Sequence, residues 1–337
     1  MNKKGFTLIE LLAVIVILAV IALIATPIIL GVIDKAKQGS AEQSANGYIN
    51  AIENQVVVSQ LKNENVIVDG VHSVEELDKL AVEVKGKKPD KGNVVIEKGI
   101  VTNYTLGIGE YVVTDGLTEK VTNTKKYENG TAVYYNPVTG EKCESSDAIS
   151  TTGTKIGCMK WYIFNDAEGL SMVNIILDHN TTPKIVWNSD NKNVSYEESK
   201  LKSETDKLVS ESKWESIPRL ITAEEINKII GKTEWTNTSN WYCLDSKKAD
   251  NTNWCAKTKD TSTYKWLFDY TNDCEKYGCS YNDTATYGYW TSTIYGKVNS
   301  GPFVWRVSRS GDLGGSYANY DYGIRPVITI SKTLISE

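Results

Sequence analysis

The feature that most constrains this chain is an apolar segment near its amino terminus, residues 6–33. The segment is 28 residues long and contains a single charged residue, Glu10. At about 1.5 Å per residue, a helix of this length exceeds the roughly 30 Å hydrocarbon core of a bilayer. A carboxylate inside such a segment is costly unless it meets a partner. The sequence therefore predicts a membrane-spanning helix in which Glu10 has a specific role.

The residues at the start of this segment form a recognisable pattern. Lys3, Lys4 and Gly5 precede the apolar run, and the stretch reads KGFTLIE. This stretch, with the apolar helix behind it, resembles the processing site of type IV prepilins and pseudopilins. The resemblance implies that a membrane prepilin peptidase cuts after Gly5 and methylates the new amino terminus at Phe6. It also implies that Glu10 meets the amino-terminal charge of Phe6 in a neighbouring subunit during assembly.

Other kinds of amino-terminal segment fit less well. A secretory signal has an apolar core of 7–15 residues with a small-x-small cleavage site behind it, and this segment is about twice that length. A lipoprotein signal requires a cysteine, whereas the first cysteine of the chain is Cys143. A plain membrane anchor would explain the length but gives no role to Glu10.

Charge and cysteine content indicate the compartment. Lys3 and Lys4 predict a cytoplasmic amino end, so the chain after residue 33 is expected outside the membrane. All six cysteines lie there, which predicts three disulfides in an oxidising compartment. Proximity favours Cys143–Cys158, Cys243–Cys255 and Cys274–Cys279, although six cysteines allow 15 pairings. Metal ligation is the rival interpretation, but the cysteine spacing is not typical of zinc sites. A net charge of −5 argues against nucleic acid as a partner.

The aromatic residues divide the chain into regions. All nine tryptophans fall between Trp161 and Trp305, which predicts a domain boundary near residue 150 in a stretch rich in serine, threonine and glycine. The predicted organisation is a leader peptide (1–5), a spine helix (6–61, with 6–33 as membrane span and filament core), a first domain (62–150) and a second domain (151–337).

The first domain is predicted to pack on the second half of the spine helix. Ala45, Tyr48, Ile49, Ile52 and Val56 recur at intervals of three and four, which places them on one helix face. The stretches VVIE, IVTNYTLGI and EYVVT are predicted strands, and Ser73 with Glu76 forms a capping box before a short helix. The resemblance to pilins implies an α+β fold, with a long spine helix on a small antiparallel sheet. Pro27 inside the helix predicts a kink or local melting.

The second domain carries a weaker resemblance. Its predicted helix RLITAEEINKIIG begins with a Thr222–Glu225 capping box, and its predicted final strand is YGIRPVITI. Arg219, Leu220, Thr222 and Glu225, together with Gly323, Ile324, Arg325 and Pro326, resemble the frame of C-type-lectin-like domains. The likeness is to the formylglycine-generating-enzyme branch and to the variable proteins of diversity-generating retroelements, although Ile221 stands where those enzymes have proline. The resemblance implies a loop-rich α+β binding domain.

Catalysis has little support in the sequence. A serine or cysteine nucleophile needs a nearby base, and the only histidines, His72 and His179, lie in different predicted domains. His179 is interpreted as a turn or strand-end residue. The chain is therefore not predicted to be an enzyme.

Binding has more support. Residues 287–322 are rich in Tyr, Trp, Ser, Asn, Gly and Asp, a composition typical of adaptable recognition loops. The candidate contact residues are Tyr295, Asn299, Trp305, Arg309, Asp312, Tyr317, Asn319, Tyr320 and Asp321. Trp290 and Trp305 have a rival interpretation as core strand residues, and Arg325 is interpreted as a buried structural residue. The retroelement resemblance implies that diversification falls on this terminal segment.

Calcium is the cofactor to consider for a lectin-like domain. Hard oxygen ligands are offered by Asp245, by Asn272 with Asp273 and by Asn282 with Asp283. Turn formation explains such pairs equally well, and the EPN or QPD triplet of sugar-binding lectins is absent. No cofactor or metal is therefore predicted, and calcium stays open as the alternative.

Two functions follow from these observations. The first is a type IV pilin-like subunit, minor or at the filament tip, that starts in the cytoplasmic membrane and displays an adhesive domain on a surface filament. Its predicted partners are other pilin subunits, the prepilin peptidase, the membrane and an unidentified protein or glycan ligand. The alternative is a pseudopilin of a DNA-uptake or type II-like secretion system.

Overall fold

A computed structural model describes most of the chain, and the fold is α+β as the sequence predicts. The described residues are 8–62, 67, 69–80, 82, 84, 87–115, 117–121, 125–145, 157–166, 169–190, 195–231, 241–243, 255–256, 263–268, 288–295, 303–308 and 312–337. Within these ranges, the helices are α1 (Leu8–Lys62), α2 (Val74–Lys79), α3 (Lys200–Ser210), α4 (Ala223–Ile229), α5 (Lys265–Phe268) and a short 3-10 helix (Lys332–Leu334).

Strands form most of the remainder. They are β1 (Gly70–Ser73), β2 (Lys91–Glu97), β3 (Ile100–Ile108), β4 (Tyr111–Thr114), β5 (Leu117–Lys120), β6 (Ala132–Asn136), β7 (Glu141–Lys142), β8 (Met159–Phe164), β9 (Met172–Leu177), β10 (Thr182–Val186), β11 (Arg219–Leu220), β12 (Trp241–Cys243), β13 (Cys255–Ala256), β14 (Tyr289–Ile294), β15 (Phe303–Val307), β16 (Asp312–Tyr317), β17 (Asp321–Ile324) and β18 (Pro326–Ser331). The described strands make a first sheet in the order β1-β2-β3-β4-β5, a second in the order β11-β18-β9-β8-β6-β7, and a third in the order β10-β17-β14-β15-β16-β12-β13.

The second half of α1 packs on the first sheet through the face that the sequence predicts. Ala45, Tyr48, Ile52 and Val56 are buried, and Ile49 is partly buried beside them. The sheet contributes Val94, Ile96, Leu106, Ile108, Tyr111 and Val113 to this core. The helix is continuous from residue 8 to residue 62, so the predicted spine is confirmed.

Polar contacts fix the position of α1 along the sheet. The hydroxyl of Tyr111 donates to a carboxylate oxygen of Asp34 over 2.6 Å. Nearer the end of the helix, a carboxylate oxygen of Glu53 accepts from the backbone N–H of Val101 at 3.1 Å. These two contacts hold the helix from its middle to its last turns, and leave residues 8–33 beyond the edge of the sheet.

Local signals in the sequence predict the ends of two helices correctly. Ser73 and Glu76 form a complete capping box at the start of α2, and Thr222 and Glu225 form another at the start of α4. In each box the hydroxyl accepts from a backbone N–H three residues later, while the glutamate accepts from the N–H of the capping residue. The interactions are local, and the sequence alone therefore predicts them.

The strand pairing crosses the boundary that composition predicts near residue 150. Strand β6 pairs with β8, and Ala132 lies opposite Tyr162. The side chains of Val133 and Tyr135 are buried in one cluster with Trp161. Residues 132–142 therefore belong to the second sheet, because their apolar side chains find their partners there.

Candidate assembly helix and binding surface

The first half of α1 exposes a continuous apolar surface. Every leucine, isoleucine and valine in residues 8–33 has 46–82% of its surface exposed. By length and composition the helix can cross a membrane. Because so much contiguous apolar surface is unfavourable in water, it needs either lipid or other protein chains around it. We call residues 8–33 the assembly helix.

The residues predicted to act in processing and assembly lie at the start of this helix. Gly5 and Phe6 are outside the described residues. The backbone of Glu10 is in α1, but its side chain is also outside the described part of the chain. Pro27 lies in the helix interior, where the carbonyl of Leu23 loses its usual N–H partner. The helix nevertheless continues through Pro27, so local melting does not occur there, and the kink stays a prediction.

Three of the predicted contact residues meet in a row of aromatic rings. The ring of Tyr295 lies 6.1 Å from Phe303, Phe303 lies 4.3 Å from Tyr317, and Tyr317 lies 5.7 Å from Tyr320, measured between ring centroids. Tyr317 is 40% exposed and Tyr320 is 54% exposed. We call these four residues the aromatic row. Exposed aromatic side chains at a hairpin end supply contact area at low conformational cost.

Phe303 is the member that the sequence did not single out. It lies opposite Tyr317 in the register of β15 and β16, and its carbonyl accepts from the N–H of Tyr295 at 3.0 Å. The signal in the sequence is weak, because Phe303 only joins the row once the hairpin register is known. The strand itself, PFVWRVSR, is predicted correctly.

Two other predicted contact residues are buried, which corrects their assignment to the surface. Trp305 is completely buried beneath the row, with its ring 4.9 Å from that of Tyr295. Asp312 is 7% exposed and pairs with Arg306 at 2.7 Å, and the hydroxyl of Ser308 donates to its other oxygen. Trp305 lies on the same face of β15 as Phe303 but further along the strand, inside the hydrophobic core. The Arg306–Asp312 pair lies at the turn end of the hairpin.

The remaining candidates are placed as follows. Asn319 is exposed between the two tyrosines of the row, and Asp321 is partly buried at the start of β17. Asn299 and Arg309 lie outside the described residues. The structure therefore brings together Tyr295, Tyr317 and Tyr320, with Asn319 beside them in the same turn.

The predicted structural residues are confirmed. Trp290 is completely buried, and its indole N–H donates to the carbonyl of Ile185 at 2.9 Å. Arg325 is also completely buried. Its guanidinium donates to three backbone carbonyls, those of Leu177 (2.6 Å), Trp266 (2.8 Å) and Leu267 (3.2 Å). Arg325 thus connects the end of β17 to β9 and α5, so its role is structural and it does not form part of the contact face.

The residue pair behind the lectin-like resemblance makes a specific contact. Both terminal nitrogens of Arg219 donate to the carboxylate of Glu225, at 2.7 and 2.8 Å. The same carboxylate accepts from the backbone N–H of Thr222. A bidentate arginine–carboxylate pair is geometrically specific, so this contact fixes the start of α4 against β11.

The cysteines and histidines are partly described. Cys143 and Cys158 form the predicted disulfide. The side chains of Cys243 and Cys255, and all of Cys274 and Cys279, lie outside the described part. His179 follows β9 and is buried, and burial lowers its pKa to about 4, so its imidazole is neutral at physiological pH.

Metal ligands do not come together within the described ranges, where no three His, Cys, Asp or Glu side chains are close enough to hold an ion. The calcium candidates Asp245, Asn272, Asp273, Asn282 and Asp283 are outside those ranges.

Comparison with known proteins identifies the amino-terminal region alone. Residues 1–26 match the family described as the prokaryotic N-terminal methylation motif. No curated protein and no solved structure matches the chain. The motif and the assembly helix together support a type IV pilin-like or pseudopilin-like precursor. They imply processing by a prepilin peptidase, a membrane-anchored precursor and assembly with other pilin subunits.

Proposed function

We propose that this protein is a minor or tip subunit of a type IV filament that displays an adhesive, lectin-like carboxy-terminal region. The observation that carries the proposal is the assembly helix, which follows a methylation motif and stands free of the sheet that covers the rest of α1. A surface of this kind fits the lipid of the precursor and the packed helices of a filament. The same apolar surface can therefore contact lipid in the precursor and other helices in the filament.

The size of the carboxy-terminal region favours a minor or tip position. Residues 132–337, about 200 residues, follow the first sheet and its connection, and this bulk would crowd a repeating shaft. The adhesive role rests on the aromatic row, in which Tyr317 and Tyr320 are exposed next to the amide of Asn319. The pairing of β9 with β18 brings an early and the last strand of this region together.

The assembly role is tested by exchanging Glu10 for alanine. Under the proposal, Glu10→Ala abolishes incorporation into filaments sheared from the cell surface, because the amino-terminal charge of the neighbouring subunit loses its partner. The matched control is Glu42→Ala, which removes an exposed carboxylate from the same helix outside the assembly segment. Near-ultraviolet circular dichroism of the purified variants checks that both remain folded. Normal incorporation of the Glu10 variant would refute the proposed assembly contact.

The adhesive role is tested on the aromatic row. We expect Tyr317→Ser and Tyr320→Ser cells to attach less to gelatin-coated or mucin-coated glass, with filament number unchanged. Val209→Ser, an exposed apolar residue of α3, is the control. Equal attachment of all three variants and the parent on both surfaces contradicts the assignment of the row as a contact face.

Two finer points have separate tests. The proposed retroelement diversification predicts a reverse transcriptase and a template repeat matching the codons for residues 287–326 in the neighbouring DNA. The alternative function, a DNA-uptake pseudopilin, predicts DNA binding that weakens steeply with salt. Salt-sensitive binding by the purified protein would favour that alternative over adhesion.

A further inference from the structure

A cavity of about 830 Å³ lies between the first sheet and the carboxy-terminal region. Ile100 and Leu117 line it on the side of the first sheet, and Ile217 and Ile294 line it on the opposite side. Ile100, Leu117 and Ile217 are exposed, so the cavity opens to solvent there. Its volume lies in the range of roughly 300–1,000 Å³ that is usual for small-ligand sites.

The wall of the cavity is strongly acidic. It contains seven acidic residues and three basic residues, Lys98, Lys202 and Arg219. Lys202 pairs with Asp206 at 2.6 Å, and Arg219 pairs with Glu225. Lys98 is exposed at the rim. The acidic residues of the interior therefore receive little compensation from these cations.

Two carboxylates at the floor of the cavity share one hydroxyl group. The Oγ1 atom of Thr293 lies 2.7 Å from Oε2 of Glu224 and 3.4 Å from Oε1 of Glu97. Because a hydroxyl has a single hydrogen, it donates to the nearer oxygen, that of Glu224. Glu97 is left with Ser292, whose Oγ is 3.4 Å away. Burial raises the pKa of Glu224 to about 7, and burial together with the charge of Glu224 raises that of Glu97 well above its usual range.

Glu224 has an oxygen that the described chain does not satisfy. The residue is 3% exposed. The hydroxyls of Thr293 and Thr222 and its own backbone N–H lie near its carboxylate, but its Oε1 atom has no hydrogen-bond partner among the described residues. A buried carboxylate oxygen without a donor is costly. Since Glu224 lines the cavity, a donor that enters the cavity can supply the missing interaction.

The other acidic residues near the floor already have donors. Asp69 accepts from the backbone N–H groups of Lys98 and Gly99, at 2.7 and 3.0 Å. Glu119 accepts from the hydroxyl of Ser331 at 2.8 Å. Glu97 and Glu224 are therefore the carboxylates near the floor whose hydrogen bonding is incomplete.

We propose that this cavity binds a primary ammonium group on an aliphatic stem, with the ammonium between Glu97 and Glu224. An ammonium has three donors, which suits the free oxygen of Glu224 and the weakly bonded carboxylate of Glu97. The stem lies against the apolar side chains of Ile100 and Ile294. The ammonium belongs either to a free amine or to a lysine side chain of a polypeptide. This site is independent of the assembly helix and of the aromatic row.

Isothermal titration calorimetry on the purified full-length protein in detergent micelles tests the proposal at pH 8. Pentylammonium is the first probe, pentanol is its uncharged counterpart, and a blocked Ala-Lys-Ala peptide carries the same group on a polypeptide. We expect saturable binding of pentylammonium and none of pentanol. Binding of the peptide as well assigns the site to lysine side chains; binding of pentylammonium alone assigns it to free amines.

Variants locate the site within the cavity. We expect Glu224→Gln in α4 and Glu97→Gln in β2 each to weaken pentylammonium binding at least tenfold. Glu197→Gln removes an exposed rim carboxylate and should change binding less than twofold. Circular dichroism identifies any variant that fails to fold, and two variants on separate elements keep the test informative. Equal loss in Glu197→Gln, equal binding of pentanol, absence of saturable binding, or binding of calcium in place of the amine would overturn the proposal.

Discussion

Replacing Glu224 by glutamine is expected to stabilise the ligand-free protein at neutral pH. Glu224 is buried, and the groups that face it are the carboxylates of Glu97 and Asp69, with Glu225 neutralised by Arg219. The glutamine oxygen can keep the hydrogen bond from Thr293, while the amide N–H₂ can donate toward Glu97. The substitution thus removes a buried negative charge without removing the contact.

The magnitude follows from the pKa of Glu224, which burial raises from the usual 4.5 to about 7. Below about pH 4.5 the carboxyl is protonated in both the folded and the unfolded chain and carries no penalty. As the pH rises toward 7, the unfolded chain ionises first, and folding becomes less favourable. At about 1.4 kcal/mol per pKa unit, the loss approaches roughly 3 kcal/mol at pH 8. The Glu224→Gln variant should not lose this stability as the pH rises, because a glutamine side chain does not ionise.

Chemical denaturation of the full-length protein in detergent micelles measures this effect, with tryptophan fluorescence as the signal at pH 5, 6, 7 and 8. The gap in stability between Glu224→Gln and the parent should widen as the pH rises. Glu197→Gln, which alters an exposed carboxylate, should stay within about 0.5 kcal/mol of the parent. A gap that is constant with pH, or a Glu224 variant less stable than the parent at pH 8, would refute the account of this buried charge.

Three further predictions concern the framework. Ile52→Ala should lower the free energy of unfolding by about 2–5 kcal/mol because it leaves a cavity between α1 and the first sheet; denaturant titration measures it. Arg325→Met should cost at least about 2 kcal/mol because the buried carbonyls of Leu177 and Trp266 lose the guanidinium donor, while that of Leu267 keeps the hydroxyl of Tyr289; the thermal midpoint of the near-ultraviolet dichroism reports it. The double variant Cys143→Ser, Cys158→Ser opens a link of sequence separation 15 and should cost about 3 kcal/mol; denaturant titration against the oxidised parent checks it.

Each of these predictions has an outcome that would contradict it. Val57→Ala, at an exposed position of α1, should change the free energy of unfolding by less than about 0.5 kcal/mol. If it destabilises the protein as much as Ile52→Ala, the face of α1 that packs on the sheet is not the one described. An Arg325→Met protein as stable as the parent would show that the hydrogen bonds of Arg325 do not stabilise the fold. A cysteine variant as stable as the oxidised parent would mean that the Cys143–Cys158 disulfide does not stabilise the fold.

Several features were determined by the sequence because their physical causes are local. The buried face of α1 follows from the spacing of Tyr48, Ile52 and Val56, and the two capping boxes follow from residues three apart. The apolar length of residues 6–33 dictates a need for lipid or for other subunits. In each case a few neighbouring residues, or a simple period, contain all the information that the structure uses.

Only the tertiary structure decided which distant residues meet. It joined residues 132–142 to the second sheet and set Phe303 opposite Tyr317, because strand register depends on how apolar faces pack together. It also turned Trp305 inward, and it brought Glu97 and Glu224 to one hydroxyl group. The sequence contains many carboxylates with nothing to single out this pair. Glu97 and Glu224 come close together because two sheets enclose a cavity, and burial there raises the pKa of both carboxyl groups.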